Sequence, residues 1–125
     1  MLRYIRSTVL ALTAAFAIGA CAPTAQNTQQ SPAPEQARSE QLVRELDSKG
    51  QIIKTSALNT YVRGVVSRVA AVRPKGAVPI KTYIVKDANV NAFTTGGGYV
   101  FFNAGMLAAL QNEAQVATVA AHEIA

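Results

Sequence analysis

The stretch that most limits what this chain can become is its last fourteen residues, Asn112 to Ala125, reading N-E-A-Q-V-A-T-V-A-A-H-E-I-A. Asn112 suits a helix N-cap, and Gln115, three residues on, is placed to reach back to the cap's backbone N–H and complete a capping box. Behind that start, Ala114, Val116, Ala117, Val119, Ala120, Ala121 and Ile124 cover nearly every side of the helix, the pattern of an element buried on all faces. Small side chains let neighbours pack close to it. The polar exceptions Gln115, Thr118 and His122 fall three and four apart on one stripe.

The segments before this helix supply candidates for its surroundings. Glu35 to Asp47 carries Leu42, Val43 and Leu46 at helical spacing, with Ser48-Lys49-Gly50 as a stop. Leu58, Val62, Val65, Val69 and Val72 form one stripe of a second helix, with Thr60, Arg63 and Ser67 opposite and Thr55 or Ser56 as its cap. After Pro74 the period changes. Pro79 to Val85 is rich in β-branched and aromatic residues, as are Val90 to Thr94 and Tyr99 to Phe102, and Thr95-Gly96-Gly97-Gly98 joins the last two with glycines that accept positive φ. The expected product is a meander of three strands, followed by a short helix from Ala104 to Leu110 capped by Asn103.

The start of the chain has a different character. A basic opening (Arg3, Arg6), an apolar run from Thr8 to Ile18 and the small pair Gly19-Ala20 follow the plan of a secretory signal over residues 1–20. Ile18-Gly19-Ala20-Cys21 resembles the lipobox of bacterial lipoproteins, in which the cysteine is lipidated and becomes the new N-terminus. Cys21 is the only cysteine, so no internal disulfide is possible. Residues 21–35 are dominated by Gln, Pro, Ser, Thr and Ala and cannot bury enough apolar surface to offset the entropy of ordering. They read as a tether spanning roughly 20 Å.

Two function classes are set aside by charge and motif. The formal charge of +5 includes Arg3 and Arg6; without them ten basic residues face seven acidic ones, too mild and scattered an excess for nucleic acid. Arg63, Arg68, Arg73 and Lys75 read as a solvated helix flank. The glycine triplet opens onto a strand and lacks the following Lys-Ser/Thr, which argues against a phosphate loop.

His122 followed by Glu123 begins the pattern H-E-x-x-H, in which two histidines on one helix face hold zinc and the glutamate serves as general base. The second histidine would stand just beyond Ala125. On these residues alone a hydrogen-bonded core histidine beside a chance glutamate is the more frequent reading. A buried, unpaired Glu123 would be costly unless a cation or hydrogen-bond donors met it, and a metal with its bound water would do so.

Asn91-Ala92-Phe93, Gly97-Gly98-Tyr99-Val100, Gly105-Met106-Leu107, Glu113-Ala114 and Val119-Ala120-Ala121-His122-Glu123-Ile124 together resemble the N-terminal half of a zinc metallopeptidase family. It is the family of the CAAX prenyl endopeptidase and the bacterial membrane heat-shock protease HtpX, which has a branch of periplasmic lipoproteins. The resemblance implies an α+β, zincin-like fold over residues 36–125, with helices on a small, largely antiparallel sheet. It implies one Zn2+ with His122 as first ligand and Glu123 as general base. It also implies polypeptide substrates, among them misassembled outer-membrane proteins, pairing as an added strand along Tyr99, Val100, Phe101, Phe102 and Asn103 at or beside a sheet edge. A lipid anchor at Cys21 would hold the protein on the periplasmic face of the outer membrane. Where the family has glutamate this chain has Gln115. The second histidine and a downstream glutamate are absent from the 125 residues, so the chain as given is expected to be inactive. The alternative, from another class, is a non-catalytic lipoprotein that binds or chaperones envelope proteins through the same strands.

Overall fold

Tyr99-Val100-Phe101-Phe102-Asn103 contains no charged residue, and all five of its side chains are buried, so this strand is covered on both faces. It forms the middle of the sheet. The computed structural model describes residues 32–125, as α1 (Pro32–Ser48), α2 (Ser56–Ala70), β1 (Lys81–Val85), β2 (Ala92–Thr94), β3 (Tyr99–Asn103), α3 (Ala104–Ala109) and α4 (Glu113–Ile124). The expected signal, Cys21 and most of the expected tether lie outside the described residues. Residues 32–35, assigned to the tether, are instead the beginning of α1. Among the described residues no helix is long and apolar enough to cross a membrane.

The sheet order is β1-β3-β2. β2 and β3 form the expected antiparallel hairpin, with Phe93 opposite Phe101. β1 lies parallel to β3, Tyr83 opposite Phe101, so the sheet is mixed and the expected meander is corrected. The physical reason is visible in composition. The most continuously apolar strand gains most from the position where both faces and both edges are covered, and the third strand therefore inserts between the first two. The same topology corrects the expected docking strand: Tyr99 to Asn103 are paired on both sides and offer no free edge. The outer strand on that side is β2.

Helices cover the two faces differently. On one face Val62 and Val66 of α2 and Ala120 of α4 meet Ile84, Val100 and Phe102, with Leu58, Val69, Ala92 and Val119 around them. On the other, Leu42, Val43 and Leu46 of α1 pack on Val85, Tyr99 and Phe101, beside Tyr83 and Phe93. The result is an α+β molecule of three layers.

Local signals fix the ends. α1 stops in a Schellman turn: Gly50, at φ 63°, donates to Asp47 O and Gln51 N–H donates to Leu46 O. α2 buries Val62 and Val65 as its stripe predicts, but ends at Ala70, and Val72 beyond it is 87% exposed. Thr55 and Asn103 occupy N-cap positions without side-chain capping bonds. The largest correction concerns α4, where only Val116 and Ala120 are buried. Among the described residues α4 packs on α2 and β2, which cover one side of it. The other side, including Ala114, Thr118, Ala121 and His122, is exposed.

Candidate active site

The start of α4 is fixed by three interactions. Asn112 Oδ1 accepts from Gln115 N–H at 3.0 Å, as an N-cap should. The Gln115 side chain accepts from Gln111 N–H at 2.6 Å rather than from the cap residue, so the expected capping box closes one residue early. Arg68 on α2 pairs with Glu113 in the first turn of α4. Glu113 there also complements the helix dipole. Arg68, expected as part of a solvated flank, thus ties the two helices of this face together.

At the far end of α4, Glu123 is half-buried and lines a cavity of about 170 Å³ together with Arg73, Ile80, Thr94, Gly96, Gly98 and the α4 terminus. His122, the preceding residue, is exposed and does not line this cavity. Neighbours on a helix point about 100° apart, which agrees with Glu123 lying at the cavity and His122 on the open side.

The edge strand runs beside this carboxylate. Thr95 N–H donates to Tyr99 O, and Asn103 N–H donates to Asn91 O, so residues 91, 93 and 95 face β3. The backbone groups of Ala92 and Thr94 therefore face outward, and no strand pairs with them among the described residues. Thr94 thus belongs both to a free edge and to the Glu123 cavity. The glycine loop closes the cavity rim, with Gly96, Gly97 and Gly98 at φ 82°, 61° and 84°.

Of the residues expected from sequence, Glu123 faces a cavity, His122 faces outward, and Tyr99 to Asn103 form the buried central strand; Tyr99 and Val100 also reach the cavity wall. The donor set suits zinc in kind but falls short in number. His122 is the only histidine of the chain, and among the described residues no three His, Cys, Asp or Glu side chains cluster to hold a metal. Two residues were missed, Thr94 and Arg73. Arg73 Nη1 donates to Val78 O at 2.9 Å, which pins the guanidinium over the loop that follows α2. The only signal was its place between a helix end and Pro74. The unbroken apolar run of β3 marks a central strand and leaves β2, with Thr94, at an edge.

The blocks that carried the resemblance are neighbours in space. Asn91 O accepts from Asn103, and Gly105 N–H donates to Asp87 O at 2.8 Å. A Cβ on Gly105 would overlap Ala88 O, so that approach requires glycine. Residues 56–125 match the model of peptidase family M48. The chain is 29% identical to the beta-barrel assembly-enhancing protease of Yersinia pestis over 72% of its own length, and 26% identical to that of Escherichia coli K12 over 99%. A Vibrio cholerae protein that carries the same name provisionally is 34% identical over 66% of this chain. The chain spans 18%, 28% and 17% of the lengths of these relatives respectively. With its family blocks assembled around one helix end and one hairpin, and the match running through both, this chain belongs to peptidase family M48.

Proposed function

We propose that this chain supplies the first part of a zinc-dependent endopeptidase site of zincin-like design, in a protein that cleaves misassembled envelope polypeptides. The observation that carries the proposal is the shared cavity of Glu123 and Thr94, which sets a carboxylate beside an unpaired strand edge. A substrate segment adding to β2 would hydrogen-bond to the outward groups of Ala92 and Thr94, with little demand on its sequence. Its backbone would then pass Glu123, whose carboxylate would take the proton of the attacking water and return it to the leaving amine. His122 would be one metal ligand of the longer protein, and the ion would supply Lewis acidity to the scissile carbonyl. With a single imidazole and, among the described residues, no cluster of three donors, residues 1–125 alone are expected to show no zinc-dependent cleavage.

The names of the relatives support proteins of the outer-membrane assembly system as substrates, and the Cys21 lipobox supports attachment to that membrane from the periplasmic side. The test uses the full-length protein, an unfolded protein substrate and metal analysis. Glu123→Gln should lower cleavage about 100-fold or more while retaining zinc. His122→Ala should lose both. Substrate binding by the unsubstituted protein without cleavage would favour the non-catalytic lipoprotein, and a mature N-terminus lacking a lipidated Cys21 by mass spectrometry would remove the anchor.

A further inference from the structure

The glycine loop has a second side, and α1 occupies it. Ser39, in the first half of α1, is 0% exposed. Its Oγ lies 2.6 Å from Thr95 Oγ1, 3.3 Å from Thr95 O, 3.2 Å from Gly96 O and 2.9 Å from Glu35 O of its own helix. One hydroxyl hydrogen cannot serve all of these acceptors at once, and between the two hydroxyls either oxygen can be the donor. The loop presses on the helix elsewhere too. A Cβ on Gly96 would collide with the Glu35 carboxylate, and one on Gly97 would come within 2.9 Å of Gln36 Cα. On the opposite side, a Cβ on Gly98 would overlap Pro79 O. The glycine triplet is thus a seat for a helix as well as a turn. Its left-handed backbone is separated from Thr94 by Thr95 alone, and Gly96 and Gly98 line the Glu123 cavity.

α1 itself lies wholly outside the residues that match the family model. We propose that Ser39 is a positioning residue for substrate binding: through Thr95 and Gly96 it holds the glycine loop, and with it the outward edge of Thr94, in the geometry that accepts a substrate strand. This rests on the assignment of β2 as the docking edge. The hydroxyl touches no substrate. Its effect is to keep one register of the edge populated before a substrate arrives, so its loss should appear as weaker binding of substrate and transition state alike.

The test compares three variants of the full-length protein. Ser39→Ala removes the hydroxyl, Thr95→Val removes its partner and spares the two carbonyls, and Leu46→Ala weakens the docking of α1 on the Val85, Tyr99 and Phe101 cluster about two helical turns beyond Ser39. Ser39→Ala and Thr95→Val should raise KM for an extended peptide by about three- to tenfold with kcat within twofold, the span of one buried neutral hydrogen bond. Both should speed amide exchange at Thr95, whose N–H donates to Tyr99 O. Leu46→Ala, at least as destabilising to the molecule, should leave KM and that local exchange near the values of the unsubstituted protein. Equal KM in Ser39→Ala and the unsubstituted protein, or an equal rise in Leu46→Ala, would overturn the positioning role. A protein that cleaves nothing before any substitution would instead overturn the endopeptidase proposal, and the two failures are told apart by that first measurement.

Discussion

The two faces of the sheet are held by different means. On the α2 and α4 face the contact is aliphatic and aromatic: Val62, Val66, Ile84, Val100, Phe102 and Ala120 are all buried, and the ion pair of Arg68 with Glu113 joins the helices to each other rather than to the sheet. On the α1 face the apolar contact is narrower and is keyed by polar groups at its border. There Ser39 grips the glycine loop, and Tyr99 OH donates to Glu40 while accepting from Lys81. Apolar packing is non-directional, whereas hydrogen bonds fix a register. The first face therefore provides most of the stability and the second the exact seat of one helix, next to the loop that borders the Glu123 cavity.

The largest effect should come from Phe102→Ala. Phe102 is fully buried at the centre of the α2 and α4 face, and truncating such a side chain costs about 3–5 kcal/mol. Denaturant unfolding should show one cooperative loss that takes both faces with it. If α1 remained protected while α2 and α4 exchanged freely, the two faces would be independent units, and the division of labour drawn above would be wrong.

Gly97→Ala should come next. At φ 61° an alanine costs about 1–2 kcal/mol in backbone strain, and its Cβ would also displace the α1 backbone at Gln36. The expected signature is local: faster amide exchange and proteolytic nicking in α1, with α2 and α4 unchanged. Global unfolding at the same denaturant concentration as for Phe102→Ala would show that α1 is not separable from the core.

What the sequence made legible divides along the same line. The α2 stripe, the β2–β3 hairpin, the stop at Gly50 and the His122-Glu123 helix could be read because each is a local pattern, a period or a turn residue. The strand order could not, since β1 and β3 pair across eighteen residues through contacts that no local period encodes. The glycine triplet is a mixed case: positive φ was readable, but the reason for three glycines in a row lies in Glu35 and Gln36, some sixty residues earlier. The exposed side of α4 shows the reverse limit. Its alanines read as a helix to be wrapped, whereas the described elements fully bury only Val116 and Ala120.

The smallest effect should come from Tyr99→Phe, which removes the hydroxyl between Lys81 and Glu40 and leaves the buried ring stacked on Tyr83. Lys81 is exposed and Glu40 partly exposed, so the loss should be a fraction of that for Gly97→Ala. Its pH dependence makes it identifiable. Hydrogen bonds from Gln36 and then Tyr99 hold the Glu40 carboxyl below its ordinary value of 4.5, so its contribution is present above that value and lost as pH falls through the lowered one. The Tyr99 hydrogen bond raises Lys81 above its ordinary 10.5, so that contribution is present below 10.5 and lost as pH rises through the raised value. The stability difference between the native protein and Tyr99→Phe should accordingly stay flat between about pH 5 and pH 10 and shrink beyond either end. A difference that persisted unchanged once Glu40 is protonated would mean that the hydroxyl acts through the ring's packing rather than through the carboxylate, and the α1 face would then be held much as its opposite is.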